Sequence, residues 1–196
     1  GRLPIRYKTD PRLVANVAEL EARKPALDFH RSTCRFLQNR PQLLETYIQQ
    51  AYLKLIEGAR EELLVANAYF VPTPTITQAL HDAARRCVAV TLVSNSPETN
   101  DLPEITMVGR GHYRSLLSVN DSPELTACTR PDAGIRIWEW TGQTPGDPTR
   151  TQGTMHSKFA VVDRRVSLVG SYNLDPRSEK LNSESALVFE SPPLAQ

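Results

Sequence analysis

The sequence predicts an α/β fold in which helices cover a mixed β-sheet. Two observations predict it. Helix-like and strand-like segments alternate through most of the chain, and several strand-like segments follow one another at its end. The strand-like segments are also nearly continuous apolar runs, which is typical of strands that are buried on both faces.

The elements follow in order from residue spacing and from helix breakers. A helix is predicted from Pro41, because apolar residues recur at helical spacing as far as Ile56 and Gly58 lies near its end. The remaining predicted elements are helices from Pro74 to about Arg86 and at 102–118, and strands at 62–67, 87–93, 135–140, 156–163, 166–170 and 185–190. Segments 94–101 and 141–153 are rich in turn-forming residues and are predicted to be loops.

The composition is that of a folded globular domain, with 196 residues, 40% of them apolar and 23% charged. No apolar run approaches the roughly 18 residues of a membrane-spanning helix, so we expect no transmembrane segment. Lys and Arg number 23 against 22 Asp and Glu, and this balance argues against a dedicated nucleic-acid binder. Three cysteines without a CxxC pair predict neither a disulfide framework nor a zinc site.

The charge is unevenly distributed along the chain. Residues 1–40 carry nine Lys or Arg and four Asp or Glu, whereas residues 41–196 carry fourteen and eighteen. We therefore expect 1–40 to be a basic N-terminal linker or extension and 41–196 to be the folded domain. The alternative is that the basic segment lies near an anionic phosphate or membrane surface.

The most informative stretch is 154–184. His156 and Lys158 are two residues apart, so on a strand both side chains lie on the same face. The segments 156–163 and 166–170 are joined closely enough to pair as a hairpin. This pairing would bring Asn173 back toward the other two side chains, so that an imidazole, an ammonium and an amide converge.

These three groups suit an anionic phosphorus centre. Imidazole can act as a nucleophile or transfer protons near neutral pH, and lysine and amide groups can stabilise phosphate oxygens. A reacting histidine also needs a carboxylate to hold its other ring nitrogen, and Glu184 is the candidate. No Asp or Glu cluster with metal-ligand spacing stands beside His156, so we expect a site without metal or cofactor.

The pattern His156-x-Lys158-(x)4-Asp163-(x)6-Gly170-Ser171-x-Asn173 resembles the HxKxxxxD…GSxN signature of the phospholipase D superfamily. The stretch from Asn173 to Glu184 is similar to its bacterial cardiolipin synthase branch. So are the segments 68–72 and 134–140. The resemblance spans roughly residues 41–190 and implies an α/β/α sandwich.

The resemblance also implies roles for individual residues. His156 corresponds to a catalytic histidine, Lys158 and Asn173 to phosphate-binding residues, and Glu184 to the carboxylate that orients the histidine. Asp163 and Gly170 are expected to be structural, Ser171 to line the site, and Tyr69 to be either a pocket wall or a core tyrosine.

The departure from the family is that only one motif occurs. The family site contains two motifs: one histidine forms a phosphohistidine and the other protonates the leaving alcohol. None of the other three histidines is followed two residues later by lysine. The chain also begins without methionine. We therefore expect it to be the C-terminal half of a two-motif protein, with His156 as general acid and base, or else to pair with a second copy.

The resemblance implies phosphatidyl transfer or hydrolysis at a phospholipid phosphodiester, peripheral to the bacterial inner membrane. Its expected partners are a phospholipid substrate, the membrane surface and the missing half or second copy. The alternatives are a nuclease or other phosphodiesterase with the same chemistry, and a half-domain that is inactive alone. Nucleic acid is the less favoured substrate, because residues 41–196 are net negative.

Overall fold

Eight strands form one mixed β-sheet, and two further strands form a separate hairpin. The structure is a computed structural model that describes residues 31–144, 147–151 and 153–195. The strands are β1 (Thr33–Arg40), β2 (Glu45–Thr46), β3 (Glu62–Asn67), β4 (Ala89–Asn95), β5 (Gly134–Trp140), β6 (Gln143–Thr144), β7 (Asp147–Thr151), β8 (Lys158–Val162), β9 (Val166–Gly170) and β10 (Glu184–Glu190). The helices are α1 (Tyr47–Gly58), α2 (Pro74–Arg85), α3 (Pro103–Leu117), α4 (Pro123–Thr126) and α5 (Pro176–Lys180). Short 3-10 turns occupy Pro41–Leu43, Ser118–Asp121 and Pro192–Leu194.

The strand order in the sheet is β2-β1-β10-β9-β8-β3-β4-β5. Strands β3, β4 and β5 run parallel to one another, and every other pairing in this sheet is antiparallel. Because of this mixture, the carboxyl ends of some strands meet the amino ends of others. Arg40, Asn67, Asn95, Trp140, Lys158, Gly170 and Glu184 all lie at one edge of the sheet, which we call the upper edge.

The hydrophobic core lies between one face of the sheet and the helices. In α1, Ile48, Tyr52 and Ile56 recur every four residues, and all three are at most 1% exposed. The corresponding apolar residues of α2 are Ile76 and Leu80. α3 is attached to the same face, where Arg110 and Tyr113 contact Glu139. In the part of the chain that the structure describes, no helix is long and apolar enough to cross a membrane.

The opposite face of the sheet carries an apolar row that crosses seven strands. Its members are register partners: Phe36, Leu187, Val169, Phe159, Ala66, Val93 and Trp138. Phe36 is 62% and Trp138 61% exposed. The turn at the end of β10 reaches this face, where Leu194 and Phe159 line a shallow cavity of about 680 Å³. Among the described residues, α1, α2 and α3 all pack on the other face.

The predicted α/β fold with a mixed sheet is confirmed, but the first helix was placed too early. Pro41–Leu43 forms a 3-10 turn, and Leu44 has a left-handed backbone with φ of 58°. An α-helix cannot pass through that conformation, so the helix begins only at Tyr47. The predicted loop at 141–153 also contains the hairpin of β6 and β7.

The sheet begins before residue 41. All but one residue of strand β1 pairs with β10, from Thr33 opposite Glu190 to Asn39 opposite Glu184. The last eight residues of the predicted extension are therefore part of the sheet. The sequence of this strand shows no clear alternation, because its apolar residues Phe36 and Leu37 are adjacent and stand between the polar residues Arg35 and Gln38. The rest of the predicted extension, residues 1–30, lies outside the described residues.

The cysteine spacing predicted no disulfide framework, and the structure contains a single disulfide bond that the spacing did not indicate. Cys87, at the end of α2, and Cys128, after α4, are bonded across a sequence separation of 41 residues. Cys34 is a free, exposed cysteine. Spacing alone could not pair the two, because their proximity depends on how α2 and the segment after α4 pack.

Candidate active site

His156 and Lys158 lie together around the ring of Tyr69 at the upper edge. The Lys158 ammonium is 5.6 Å from the centre of the Tyr69 ring, and the His156 ring meets that ring edge-on at 5.9 Å. Lys158 Nζ also donates a hydrogen bond to the His156 carbonyl at 2.9 Å. The backbone between them is fixed because the Ala68 N–H donates to the Ser157 carbonyl at 3.0 Å. Tyr69 is therefore a wall of the candidate site.

Lys158 is a buried cation, with 6% of its surface exposed. Burial lowers its pKa, and the negative charges of Glu184, Asp101 and Asp175 offset that effect only in part. Tyr69 donates a 2.6 Å hydrogen bond to Asp101, and burial together with this acceptor raises the pKa of Tyr69 to about 12. The phenol thus stays protonated at neutral pH, and it holds the ring against the ammonium.

Asn173 is connected to this pair through a second asparagine, Asn67. Asn67 is fully buried at the end of β3 and is the register partner of Lys158. Its amide accepts a hydrogen bond from the Leu174 N–H at 3.1 Å and donates to the Tyr172 carbonyl at 3.4 Å. These are the peptide groups on either side of Asn173. Asn173 itself is 8% exposed, and its buried Oδ1 has no hydrogen-bond partner.

A third asparagine, Asn95, fixes the backbone immediately before His156. Asn95 is fully buried at the end of β4. Its Oδ1 accepts from the Met155 N–H at 3.0 Å, and its Nδ2 donates to the Met155 carbonyl at 2.9 Å. Nδ2 also donates to the Ala68 carbonyl at 3.2 Å. The residue immediately before His156 is therefore held at both its donor and its acceptor.

Glu184 is hydrogen-bonded to the 171–178 segment. Its carboxylate accepts hydrogen bonds from the hydroxyls of Ser171 and Ser178 and from the Asn182 amide. The Ser178 Oγ in turn accepts from the Asn173 N–H at 3.1 Å. None of the described hydrogen bonds of Glu184 goes to the His156 ring. In this structure Glu184 supports the loop that carries Asn173, and the predicted orienting role toward His156 stays a prediction.

The remaining motif residues hold the strands in place. Asp163 lies at the opposite edge of the sheet, where its carboxylate accepts the N–H groups of Arg60, Glu61 and Glu62. Gly170 lies where β9 passes close to β10. A Cβ at this position would approach the Ala186 Cα to 2.7 Å and the Ser185 carbonyl more closely still. Only glycine fits there without displacing β10.

Asn67, Asn95, Asp101 and Ser178 are site residues that sequence reasoning missed. Two of them carried a usable signal. Asn67 and Asn95 each end a buried apolar strand, and polar residues at the carboxyl ends of parallel strands commonly line a site. Asp101 and Ser178 lie in a loop and a short helix, and their contacts arise only from tertiary packing.

The arrangement can bind a tetrahedral anion. It offers one buried ammonium, an exposed imidazole and an amide side chain on a firmly held loop. A phosphate oxygen would supply the counter-charge that Lys158 lacks among the described ion pairs. Within the described residues, no three His, Cys, Asp or Glu side chains cluster as metal ligands would.

The fold has known counterparts among solved structures. The phospholipase D family member Nuc from Salmonella typhimurium matches with a TM-score of 0.54 and 22% identity, over 84% of this chain and 88% of that one. The phosphatidylserine synthase of Haemophilus influenzae Rd KW20 matches with a TM-score of 0.63 and 15% identity, over 98% of this chain and 44% of that one. At these identities the likeness shows a fold of the phospholipase D type.

Sequence comparison identifies the branch. The family model described as cardiolipin synthase, PLD-like domain, matches residues 52–196. Cardiolipin synthase A of Yersinia pseudotuberculosis serotype O:1b is 32% identical over 158 residues, which are 81% of this chain and 27% of that protein. The chain therefore belongs to the PLD-like domain family of cardiolipin synthase, within a superfamily of phosphodiesterases and phosphatidyltransferases. It spans about a quarter of the length of the curated relatives it matches.

Proposed function

We propose that this chain supplies one of the two catalytic motifs of an enzyme that transfers or hydrolyses the phosphatidyl group of phospholipids. The observation that carries the proposal is Lys158. It is a buried ammonium beside His156 and against the Tyr69 ring, and its burial disfavours the charge. A phosphodiester bound there would restore the lost solvation by direct hydrogen bonds.

The chemistry we propose has two steps. A histidine from the missing motif attacks phosphorus, the bond from phosphorus to the leaving alcohol breaks, and His156 gives its proton to that alcohol. In the second step His156 takes the proton of an acceptor hydroxyl, whose oxygen bonds to phosphorus while the phosphohistidine bond breaks. With an alcohol as acceptor the result is transfer, and with water it is hydrolysis.

Lys158 and Asn173 stabilise the charge that builds on the non-bridging oxygens in both steps. Tyr69 and Asp101 keep the ammonium in place, while Asn67 and Asn95 fix the backbone beside Asn173 and before His156. Because the chain contains a single motif, we propose that a preceding half-domain or a second copy completes the site. The proposal also places the assembled enzyme at the surface of the bacterial inner membrane.

The test compares three substrates: phosphatidylglycerol vesicles, single-stranded DNA and a soluble nitrophenyl phosphodiester. It is run on this chain and on the longer protein of which we propose it to be part. We expect turnover of the lipid by the longer protein, and its loss by several orders of magnitude in His156→Asn. The matched control is His112→Asn, a substitution in α3.

Three outcomes contradict the proposal. Normal lipid turnover by His156→Asn would remove the role of that histidine. Preference for DNA over the lipid would favour the nuclease reading. Full activity of this chain as a monomer, shown by light scattering on the assayed sample, would contradict the incomplete site.

A further inference from the structure

A small group of exposed apolar side chains lies beside the candidate site. Leu44 is 90% exposed, Leu43 and Leu181 are each 61% exposed, and Tyr47 is 53% exposed. We call these four residues the apolar tip. The core does not use them, although large aliphatic and aromatic side chains are normally the most buried in a domain. Their exposure together at one place calls for a partner.

The backbone of the tip holds Leu44 in an unfavourable conformation. Leu44 has φ of 58° and ψ of 24°, and its N–H donates to the Pro41 carbonyl at 2.9 Å. Leucine rarely adopts this left-handed region, where glycine or asparagine is favoured. The turn therefore combines an unfavourable backbone conformation with an exposed leucine. Neither feature stabilises the fold, so we infer that the exposed leucine serves a function.

The tip adjoins the candidate site. The turn that carries Leu43 and Leu44 follows β1 at the upper edge, and the Gln42 amide donates a hydrogen bond to the Leu181 carbonyl. Leu181 leads directly to Asn182, whose side chain bonds to Glu184. A surface that engages the tip therefore lies next to the groups that surround Lys158.

Positive charge borders the tip. Arg177 and Lys180, both exposed, lie on α5 immediately before Leu181, and neither takes part in an ion pair within the described residues. The acidic neighbour in the turn, Glu45, is paired with Arg40 at 2.6 Å. The other acid on α5 is Glu179, which is half-buried. Exposed cations beside an exposed apolar tip complement a surface that is anionic outside and apolar below.

Lys180 favours a lipid surface over a protein partner. Lysine is depleted at protein interfaces, whereas Lys and Arg beside leucine and tyrosine are typical of segments that enter the headgroup layer. Segments that bind a membrane surface bury their apolar side chains about 5–10 Å into the boundary between headgroups and acyl chains. An apolar tip next to a candidate phosphate site fits a surface on which headgroup phosphates border apolar chains.

We propose that the apolar tip inserts into the headgroup region of a bilayer that contains anionic phospholipid, with Arg177 and Lys180 on the lipid headgroups. This inference rests on the proposed function, because it assumes that the adjoining site takes its phosphodiester from the bilayer. The tip brings the site to the surface where the substrate lies, and it takes no part in the chemistry.

The experiment uses the longer protein of which we propose this chain to be part, and it measures cosedimentation of that protein with vesicles of phosphatidylglycerol and phosphatidylcholine. The test variant is the double substitution Leu43→Ser with Leu44→Ser, and the control is Leu194→Ser. Leu194 is 56% exposed and follows β10 at the opposite edge of the sheet. We expect the double variant to bind about tenfold more weakly or worse, and the control to bind as the unmodified protein does. Lys180→Ser should weaken binding only when phosphatidylglycerol is present.

The soluble nitrophenyl phosphodiester separates this inference from the proposed function. Unchanged turnover of that substrate by the double variant, together with weaker vesicle binding, supports the inference. Vesicle binding equal to that of the unmodified protein overturns it. A change from dimer to monomer with unchanged vesicle binding also overturns it, and assigns the tip to a protein interface. Absence of phosphodiesterase activity in the unmodified longer protein counts against the proposed function, while the vesicle measurement still decides the tip.

Discussion

Asn95 binds the peptide groups of Met155 through both ends of its side-chain amide, with hydrogen bonds of 3.0 and 2.9 Å. Met155 precedes β8, so its peptide groups have no strand partner, and the Asn95 amide supplies their hydrogen bonds instead. Asn120 makes the same pair of contacts with Ile135, at 2.8 and 2.9 Å, at the opposite edge of the sheet. The two asparagines therefore form a matched pair: both make the same hydrogen bonds, but only Asn95 lies beside the candidate site.

Asn95→Asp should lower activity, because an aspartate accepts from the Met155 N–H but cannot donate to its carbonyl. The backbone that precedes His156 is then held less firmly, and we expect kcat to fall about tenfold or more. The free energy of unfolding should fall by about 1–3 kcal/mol. Asn120→Asp is the control: it should lower the melting temperature without lowering kcat of the folded enzyme. Equal effects of the two variants on kcat would show that Asn95 has only a structural role.

Lys158→Met should separate activity from stability. Loss of the ammonium should reduce kcat roughly 100-fold, by analogy with the loss of an oxyanion donor. Burial lowers the pKa of Lys158 in the folded state, so between that lowered value and its ordinary value of 10.5 the unfolded state binds more protons. The stability of the unmodified protein should therefore rise with pH through this window.

Lys158→Met removes that dependence. The variant should be more stable than the unmodified protein at neutral pH, and its advantage should shrink as the pH approaches 10.5. Urea unfolding of both proteins at several pH values between 7 and 10.5 measures the difference. A difference in unfolding free energy that is independent of pH would mean that Lys158 is not penalised by burial.

Tyr69→Phe tests whether the ring or the hydroxyl of Tyr69 is needed. Phenylalanine keeps the ring against Lys158 and loses only the hydrogen bond to Asp101. We expect a reduction in kcat of a few-fold for Tyr69→Phe and of roughly tenfold or more for Tyr69→Ala. If the two variants lose the same activity, the hydroxyl and not the ring is what the site requires.

Gly170→Ala should destabilise the fold, because the added Cβ has no room against Ser185 and Ala186. We expect a loss of about 1–3 kcal/mol in the free energy of unfolding, measured by thermal or urea denaturation. Gly111→Ala is the control: no atom lies within 4 Å of its Cβ in α3, and alanine should stabilise the helix by up to about 1 kcal/mol. A neutral Gly170→Ala would mean that β9 and β10 can separate freely.

The disulfide can be tested without measuring enzymatic activity. With the disulfide intact, an alkylating reagent should label one cysteine, the exposed Cys34, and after reduction it should label three. Reduction should also cost up to about 4 kcal/mol of stability, as a closed loop of this length predicts. Mass spectrometry counts the labels, and three labels without reductant would contradict the bond.

The parts of the fold and site that were predictable are those with local signals. The strands from β3 to β10 in the main sheet are short apolar runs. His156 and Lys158, which the motif places two residues apart, both lie against the ring of Tyr69. β1 was missed because its apolar residues Phe36 and Leu37 are adjacent and show no alternation, and only the pairing with β10 makes the strand apparent. The left-handed Leu44 was equally invisible, since leucine carries no signal for that conformation.

The supporting groups of the site could not be derived because they arise from contacts between distant segments. Asn67 reaches residues 172–174 and Asn95 reaches Met155, across sequence separations of 60 or more residues. Glu184 was found from its position in the sequence, yet its hydrogen bonds run to Ser171, Ser178 and Asn182. Spacing therefore supplied candidate residues, while the hydrogen-bond partners of those residues depend on the tertiary fold.

Asp163 and Arg164 have φ of 50° and 48°, and they are the central residues of a turn that the Arg165 N–H closes on the Val162 carbonyl at 2.9 Å. Two left-handed residues give a turn whose twist matches that of the hairpin. The turn therefore sets the register of the hairpin. In this register Phe159 lies opposite Val169, and Lys158 lies on the buried face of β8. A shift of β8 by one residue would move Lys158, Ala160 and Val162 together from the buried face of the strand to the other face, so the candidate site and the core depend on the same turn.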